Sequence, residues 1–576
     1  MSAMQEIELK FQIPAEALEA VRTALVRLAQ VAVSALDAPP ATAPDSAPLI
    51  LQAAYFDTPD RRLAQARSAL RVRREGEDWV QTLKAAGSHT MVRVEDNQPA
   101  LPPPAGQALA PRLSLHAGHP AEAALRDALG WDPQHDPDGT RCGLVQLYAT
   151  DMRRTRVQLR VGVGTLHEGV VELALDEGAI TAGQGEALRS VPVRELEIEL
   201  LSGHPQAVID TGREWVQRFG LWLDTQTKAH RGDRLARTVV DGDASAALPE
   251  VTPPRPVRLP AGASPDTLDA VAAWRLGLEA CLAHVTAHMS ELATLAAAPL
   301  EAQAPVAYQW RRGLRRLRAL GRFVQDGQRL GHGPALPAAA LVSLQEACVQ
   351  AASLARLLGH WRDQDALAWL PRKLLDLGIH CPPLPPGPAP EGCPASPAVL
   401  AQGAQATAVC LDVLTALMHA SAPDEAATQP AAPPASQHAL SARLWLAQGL
   451  GDWHARCRRP SRHFLALSAL ASHRLRRRAR RLRDVLELYA PLWQDAPGHT
   501  PAHPHRLPHQ TRALARALDA LGALQDETVA LARYKPLAAT DVGAEFACGW
   551  LRARRKPLRK KAQRALRRWM ATPRPW

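Results

Sequence analysis

Acidic and basic side chains alternate with apolar ones in several short segments of the N-terminal half, and this spacing could build an ionic site. The segment EIELKF (6–11) places two glutamates and a lysine two residues apart. RRTRVQLRV (153–161) repeats this spacing with arginines, and RELEIELL (194–201) repeats it with glutamates. Because successive side chains of a β-strand point to opposite faces, each segment would carry its charges on one face.

These charged faces have two structural interpretations. An antiparallel sheet with one solvated face also alternates polar and apolar residues. Here, however, acidic and basic residues sort by strand, which favours a closed barrel with the charges in its lumen. Clustered carboxylates would bind a divalent cation such as Mg²⁺ or Mn²⁺, and facing Arg and Lys side chains would bind a phosphate-rich anion. A metal and a polyphosphate in one lumen would support phosphoryl transfer or phosphate hydrolysis.

The elements that would position these charges fall into two parts of a 576-residue chain, which is too long for one core. Residues 1–237 show mainly the period-two pattern of strands, with a few helical stretches. Residues 238–267 are rich in Pro and Ala, as in a linker. Residues 268–576 are rich in Leu, Ala and Arg with helical periodicity. We therefore predict an α+β domain, a linker and an all-α domain.

The charge balance points to an anionic partner. The net charge is +11, and the segment 549–569 holds ten Lys or Arg and no acidic residue. The eight cysteines include no CxxC pair, and no apolar run is long enough to cross a bilayer. The charged N-terminus is also unlike a signal peptide. We therefore expect a cytoplasmic protein that does not bind membranes.

An arginine-rich helix is repeated in the C-terminal half. YQWRRGLRRLR (308–318) aligns without gaps with HRLRRRARRLR (473–483), and LGHWRDQD (358–365) aligns with LGALQDET (521–528), which indicates an internal duplication. Positions 0, 3, 7 and 10 of each arginine segment share one helical face. A solvated basic face would explain this pattern, but its repetition favours a furrow that binds a polyanion. The predicted binding residues are Arg311, Arg315, Arg316, Arg318, His473, Arg476, Arg480, Arg481 and Arg483.

The N-terminal motifs, taken in order, resemble a known family. The motif ExExK (6–10) is followed by YFDTPD (55–60), LRVRRE (70–75), TLK (82–84), RVE (93–95), ELEIEL (195–200) and TKAHRGDRL (227–235). This ordered set is similar to that of the CYTH domain, or triphosphate tunnel metalloenzyme fold. The resemblance implies an eight-stranded antiparallel β tunnel with flanking helices. It also implies metal-dependent hydrolysis of inorganic triphosphate to pyrophosphate and phosphate.

The resemblance implies a role for individual residues. The catalytic residues would be Lys10, Glu195 and Glu197, with the carboxylate that positions water left unassigned. The ligands of Mg²⁺ or Mn²⁺ would be Glu6, Glu8, Asp176, Glu197 and Glu199. The triphosphate would be bound by Lys10, Arg71, Arg73, Lys84, Arg93, Arg154, Arg156, Lys228 and Arg231.

The helical half resembles the CHAD domain, a module of two related helical bundles that is associated with binding inorganic polyphosphate. The repeated arginine helix and the following L-x-x-x-R/Q-D motif carry this resemblance. One position departs from the pattern, because Tyr308 stands where the first copy would have His. Tyr carries no positive charge, so the two copies would contact an anion differently.

Three functions are therefore distinguished. The first is a metal-dependent inorganic triphosphatase with a polyphosphate-binding helical domain. The second is a protein that binds polyphosphate granules and has a weakly active barrel. A thiamine triphosphatase or adenylate cyclase of the same fold is a variant of the first. The third is a nucleic-acid binder, which we do not expect because no aromatic residues for base stacking interleave the arginine clusters.

Overall fold

The computed structural model describes most of the chain and divides it into two compact units. The described residues are 5–34, 48–86, 92–104, 106–119, 122–260, 264–365, 367, 369–383, 387–420, 440–493 and 505–576. The first unit, called the sheet unit, comprises 1–250, 289–294 and 401–411. The second, called the helical unit, comprises 251–288, 295–400 and 412–576.

The sheet unit contains one antiparallel sheet of nine described strands. They are β1 (Gln5–Gln12), β2 (Leu49–Asp57), β3 (Ala69–Glu75), β4 (Asp78–Ala86), β5 (Val92–Ala100), β6 (Val145–Val161), β7 (Gly169–Ala182), β8 (Arg189–Gly203) and β9 (Trp222–Leu223). Their spatial order is β5-β4-β3-β2-β6-β7-β8-β1-β9. The predicted antiparallel β domain with flanking helices is confirmed.

The prediction of a closed barrel of eight strands is corrected. The sheet has nine strands, and the extra one, β9, pairs with β1 at Phe11 and Gln12. Among the described residues, the other edge, β5, meets β1 through three residue pairs at the start of β1. One side of β1 is therefore shared between β5 and β9, so the two edges of the sheet meet only over this short stretch.

Five described α-helices accompany the sheet: α1 (Leu18–Ser34), α2 (Arg62–Gln65), α3 (Glu122–Leu129), α4 (Gln206–Phe219) and α5 (Lys228–Val239). The apolar face of the strands is buried, as shown by Phe11, Leu196 and Ile198, which are all fully enclosed. Helix α4 packs closely on this face, since a Cβ atom on Gly212 would lie only 2.7 Å from the ring of Phe11. The alternation in the sequence therefore separates an apolar core from a charged inner face.

Helix α5 is held against the inner face by a second close contact. Tyr55 and Tyr148 stack with their ring centroids 4.7 Å apart. A Cβ atom on Gly232 would lie 2.3 Å from the Tyr148 ring, so only glycine allows α5 to approach this closely. Thr227 begins the helix by accepting a hydrogen bond from the backbone N–H of His230. These contacts fix the first turn of α5 next to the charged strands.

The helical unit and its connections contain ten further described helices. They are α6 (Ala270–Ala293), α7 (Leu300–Leu330), α8 (Ala338–Asp365), α9 (Trp369–Leu375), α10 (Pro397–Gln402), α11 (Ala404–His419), α12 (Ala442–Arg462), α13 (Ala469–Leu488), α14 (Arg506–Tyr534) and α15 (Val542–Ala571). Large aromatic side chains fill the core, including the fully buried Trp274, Trp310, Trp445 and Trp569. The predicted all-helical C-terminal part is confirmed.

One described helix is long and apolar enough to cross a membrane by length and composition. It covers Ala338–Arg362 of α8 and packs against α7 in this structure. A core helix passes the same test, so this finding is weak evidence for a membrane span.

Candidate active site and arginine furrow

Lys228, the first residue of α5, lies among three carboxylates. Its Nζ is 2.8 Å from Asp176 Oδ2, 2.6 Å from Glu195 Oε2 and 2.8 Å from Glu197 Oε1. Asp176 on β7 lies directly opposite Glu195 on β8, and Glu197 follows two residues later on the same face. The strand register therefore gathers the carboxylates, and the start of α5 supplies the cation.

Two arginines complete this network. Arg154 on β6 forms a bidentate pair with Asp176, with both N···O distances 2.6 Å, and it also donates to Glu197. Arg231, three residues after Lys228, places Nη1 2.5 Å from Glu195 Oε1. Each of the three carboxylates therefore has at least two cationic partners, as buried charges require.

The cations of this network keep the carboxylates of Glu195 and Glu197 ionised. Burial opposes the ionisation of Glu195, but Lys10, Lys228 and Arg231 lower its pKa to about 2. Burial also opposes the ionisation of Glu197, and the nearby cations, with Lys228 first among them, hold its pKa well below the usual range. Lys10 Nζ is 3.8 Å from Glu195 and also donates to the backbone carbonyl of Gln226. These carboxylates are therefore negative at neutral pH.

A second group of charges lies on β3, β4 and β5. Lys84 Nζ is 2.5 Å from Glu95 Oε2, and Arg71 Nη2 is 3.9 Å from Oε1 of the same carboxylate. Arg71 also donates to the Tyr55 hydroxyl at 3.5 Å. Burial and the neighbouring Arg71 lower the pKa of Arg73 to about 10, so Arg73 remains protonated at neutral pH, but burial and repulsion offset part of its stabilisation by Glu75. An anion in this region would reduce the repulsion between the two arginines.

Three glutamates form a row across adjacent strands. Glu8 on β1 lies opposite Glu199 on β8, and Glu199 lies opposite Glu172 on β7. Burial raises the pKa of Glu199, and the charges of Glu172 and Glu8 raise it further. A cation beside this acidic row would relieve the repulsion.

The acidic row and the basic residues line one cavity of about 510 Å³, called the charged cavity. Most of the predicted site residues meet there: Glu8, Lys10, Arg71, Arg73, Lys84, Arg154, Arg156, Asp176, Glu197, Glu199 and Lys228. Glu195 is not in its lining and is completely buried, with Arg231 bound to it. The side chains of Glu6 and Arg93 lie outside the described residues, although the backbone pairs these two positions.

Sequence reasoning left several lining residues out of the site, among them Tyr55, Glu95 and Glu172. The two glutamates carried a signal, because Glu95 follows Arg93 on one strand face and Glu172 follows the same alternation as Asp176. Tyr55 had no such signal, because it lies in an apolar stretch of β2. Its place beside Arg71 depends on the pairing of β2 with β3.

The donor chemistry of the acidic row fits a hard divalent cation. Its three carboxylates offer only oxygen ligands, which suit Mg²⁺ or Mn²⁺. Among the described residues, no three His, Cys, Asp or Glu side chains are already gathered into a metal-binding set. The assignment of a divalent cation to the acidic row therefore depends on its oxygen donors and on the raised pKa of Glu199.

In the helical unit, an ion pair joins the two copies of the repeated arginine helix. Arg315 on α7 places Nε 3.1 Å from Asp484 Oδ2 on α13. Around this pair lies the arginine furrow, defined here as Arg311, Arg315, Arg362, Arg476 and Arg480. Its five cations come from α7, α8 and α13. The furrow therefore brings together side chains that are more than a hundred residues apart in the chain.

Burial and mutual repulsion perturb the furrow arginines. Burial, followed by the charges of Arg362, Arg315 and Arg476, lowers the pKa of Arg311 to about 9. Burial, followed by Arg476 and Arg315, lowers the pKa of Arg480 to about 9. The Nε atom of Arg476 is buried without a hydrogen-bond partner among the described residues. The furrow therefore holds five cations, whose charge the two nearby carboxylates, Asp484 and Asp526, neutralise only in part.

Three of the predicted polyanion-binding residues lie away from the furrow. Arg316 is only 4% exposed and donates to the backbone carbonyl of Arg255. Burial and the charge of Arg477 lower the pKa of both Arg318 and Arg481, and Arg318 also lowers the pKa of Arg481, so they belong to a separate basic group. Residues adjacent in sequence were predicted to act together, but the helix directs them to different sides.

The remaining predicted residues lie beside the furrow. His473 Nδ1 is 3.2 Å from Gln525 Oε1. Arg483 Nε is 3.6 Å from Glu487 Oε1. Tyr308 is 47% exposed, with the Arg312 guanidinium 6.0 Å from its ring centroid. The two aligned positions, Tyr308 and His473, therefore have different surroundings.

Comparison with known families agrees with these two arrangements. The family model of the CYTH domain matches residues 4–232, and that of the CHAD domain matches residues 276–503. The chain contains a CYTH domain followed by a CHAD domain. The charged cavity lies in the CYTH domain, and the arginine furrow lies largely in the CHAD match.

A curated relative shares part of this chain. The inorganic triphosphatase of Haemophilus influenzae is 28% identical over 187 residues, which are 32% of this chain and 45% of that protein. The chain therefore spans less than half the length of this relative.

Two solved structures are also similar. The CHAD domain of Ricinus communis has a TM-score of 0.37 and 20% identity, covering 56% of this chain and 98% of that one. A Hippeastrum protein described as having a dominant triphosphatase activity has a TM-score of 0.25 and 22% identity, covering 38% of this chain and 89% of that one. At these TM-scores the likeness adds nothing to the assignment of function.

Proposed function

We propose that the CYTH domain is a divalent-metal-dependent inorganic triphosphatase that converts tripolyphosphate to pyrophosphate and phosphate. The charged cavity carries this proposal, because an acidic row and several basic side chains face the same space. The partial identity to an inorganic triphosphatase supports the same substrate.

The basic side chains of the cavity would bind the phosphate chain. Arg71, Arg73 and Lys84 lie on β3 and β4, and Arg154 and Arg156 lie on β6. Guanidinium groups bind phosphate oxygens in pairs, whereas a lysine acts as a compact charge. The lowered pKa of Arg73 supports this role, because an incoming anion would stabilise its protonated form.

The acidic row would hold the metal through Glu8, Glu172 and Glu199, together with Glu6 as the family resemblance implies. The other two ligands implied by the resemblance, Asp176 and Glu197, are paired with Arg154 and Lys228, and Glu172 takes their place in this proposal. A bound Mg²⁺ or Mn²⁺ would supply Lewis-acid stabilisation of the phosphate charge. Within the cavity, Glu197 stays ionised at neutral pH, and its carboxylate would orient the attacking water by accepting a hydrogen bond from it. Glu195 is buried away from the cavity, so we assign it to holding Lys10, Lys228 and Arg231 in place.

Phosphate release from tripolyphosphate, ATP and thiamine triphosphate tests this function, measured in parallel with Mg²⁺, Mn²⁺ or EDTA. We expect EDTA-sensitive release that is fastest from tripolyphosphate. Glu8→Ala and Glu199→Ala should lose this turnover, while Asp151→Asn, which removes an exposed carboxylate on β6, should keep it. Faster release from thiamine triphosphate or ATP would contradict the substrate, and normal turnover in both glutamate variants would contradict the metal site.

We also propose that the CHAD domain binds inorganic polyphosphate through the arginine furrow. Burial and mutual repulsion lower the pKa of Arg311 and Arg480, which supports this, because a polyanion would replace the repulsion with attraction. The variant Arg476→Gln/Arg480→Gln should bind polyphosphate more weakly and with a smaller salt dependence. A charge-matched control is Arg474→Gln/Arg478→Gln, since both residues are exposed on the same helix. Equal loss in the two variants would show that only the general charge matters.

A cytoplasmic location remains part of the proposal. All eight cysteines are free thiols in the structure. Free thiols are typical of proteins from a reducing compartment. Fractionation of cells that express the tagged protein would test the location.

A further inference from the structure

A pocket between α12 and the C-terminal end of α15 has no part in either proposed function. Its volume is about 490 Å³, and four arginines line it: Arg458, Arg462, Arg567 and Arg574. The other lining residues are alanine, methionine, serine and histidine, so no carboxylate faces the pocket. Arg567 belongs to the basic segment 549–569, which the furrow does not use.

The floor of this α12–α15 pocket contains polar atoms without partners. Ser461 is 1% exposed, and its Oγ has no hydrogen-bond partner among the described residues. His454 is 7% exposed, and its Nε2 also has none within that part of the chain. Buried polar atoms are nearly always hydrogen-bonded, so these two atoms are available to a polar ligand that enters the pocket.

The charges around the pocket are uncompensated. The four arginines are exposed, and none has an ion-pair partner among the described residues. Burial, followed by the charges of Arg574 and Arg458, lowers the pKa of His454 to about 4, so this ring is neutral at pH 7. The pocket therefore combines a rim of positive charge with a neutral, polar floor.

We propose that the α12–α15 pocket binds a small phosphate anion with three to four negative charges, of the pyrophosphate class. Four guanidinium groups match such a charge, and their paired N–H groups match phosphate oxygens. The hydroxyl of Ser461 donates a hydrogen bond to the anion at the floor. The concave shape and the buried polar floor suit a small ligand that enters the pocket.

The first experiment is equilibrium dialysis of pyrophosphate against the full chain in EDTA, which removes metal-assisted binding in the charged cavity. The double variant Arg458→Gln/Arg567→Gln should weaken one pyrophosphate site by about tenfold or more. The control Arg459→Gln/Arg568→Gln removes two exposed arginines from the same two helices, neither of which lines the pocket, and should keep this site. Equal binding in the two variants would overturn the proposal.

Ser461→Ala separates ligand binding from a structural role. Removing a buried hydroxyl without a partner should leave the melting temperature of the free protein unchanged or slightly higher. In contrast, it should reduce the rise in melting temperature that pyrophosphate causes in the unmodified chain. An undiminished rise would count against Ser461 as a donor and against the site.

The affinities of the pocket for orthophosphate and sulfate, compared with that for pyrophosphate, test the proposed class of ligand. Pyrophosphate should bind more tightly than either, because it carries more charge for the four arginines. Equal affinity for all three anions would mean that the pocket is a general anion site and would contradict the proposed class. Binding is measured without turnover, so its outcome is independent of whether the CYTH domain hydrolyses triphosphate.

Discussion

In the CYTH domain, buried cations lie between carboxylates, whereas the arginine furrow of the CHAD domain gathers cations with few acids. Lys228 contacts three carboxylates, which raise its pKa well above the usual value despite burial. Arg480 has the opposite surroundings, since burial and neighbouring arginines lower its pKa to about 9. The protonated form of a buried basic side chain is therefore stabilised by its neighbours in the CYTH domain and destabilised by them in the furrow.

This difference separates two uses of charge. In the charged cavity, the network fixes carboxylates and cations in place before a ligand binds, which suits a site that must position reacting atoms. In the furrow, the arginines repel one another until an anion binds. This arrangement suits a site that binds a ligand without catalysing a reaction. Substitutions of cations should therefore change stability in opposite directions in the two domains.

The largest expected effect is the loss of stability in Lys228→Met. This change leaves three buried carboxylates with one cation fewer, and breaking a buried ion pair costs about 3–5 kcal/mol. Urea unfolding followed by hydrogen exchange of β7 and β8 would measure it. Arg237→Ala is the control, because it removes a half-exposed cation of the same helix whose surface ion pair with Asp243 contributes little. A Lys228→Met variant that is as stable as the unmodified protein would contradict this difference between the two domains.

Arg154→Gln should reduce the rate of triphosphate hydrolysis by about 10²–10³-fold, as for loss of one preorganised donor to a developing charge. Arg154 contacts two carboxylates and faces the cavity, whereas Arg153 is exposed on the other side of β6. Arg153→Gln should therefore keep the normal rate. Steady-state phosphate release at saturating metal distinguishes the two, and a similar rate in both would remove Arg154 from the site.

Acid should destabilise the sheet unit through Glu195. Its pKa is about 2 in the folded protein and 4.5 in the absence of interactions. The folded pKa is the lower one, so this stabilisation is complete above about pH 4.5 and is lost as the pH falls toward 2. The loss approaches about 3 kcal/mol. Urea midpoints between pH 6 and 3 should fall less steeply for Glu195→Gln, and parallel curves would contradict this assignment.

The smallest expected effect has the opposite sign. Arg480→Gln should stabilise the free protein by about 0.5–1 kcal/mol, because it removes repulsion from several like charges. Its melting temperature in low salt should rise, and the rise should shrink in high salt. Arg478→Gln, which removes an exposed arginine of the same helix, should change it less. A lower melting temperature for Arg480→Gln would show that Asp484 already neutralises this part of the furrow.

Much of the candidate site could be predicted from side-chain alternation. Glu8, Glu197 and Glu199 lie on the charged face of their strands and line the cavity, as their spacing indicates. The prediction works because strand geometry alone assigns each residue to one face. Glu195 follows the same pattern but lies outside the cavity, because α5 and its cations cover that end of the strand.

The arginine helices show where such patterns are insufficient. Spacing placed Arg311, Arg315, Arg476 and Arg480 on helical stripes, and the structure brings them together. The spacing of the arginines could not indicate that Arg316 is buried against a backbone carbonyl. Burial depends on which helices pack on each side, and no local pattern encodes that packing.

The sequence by itself determined the two classes of domain, the face on which each charge lies and the residues with the chemistry for metal and phosphate. These properties follow from periodicity and side-chain type, which are local. Only the tertiary structure decided that the sheet has nine strands, that Lys228 enters the carboxylate cluster and that the α12–α15 pocket exists. These features depend on long-range pairing and helix packing, in which small residues such as Gly232 allow distant segments to meet.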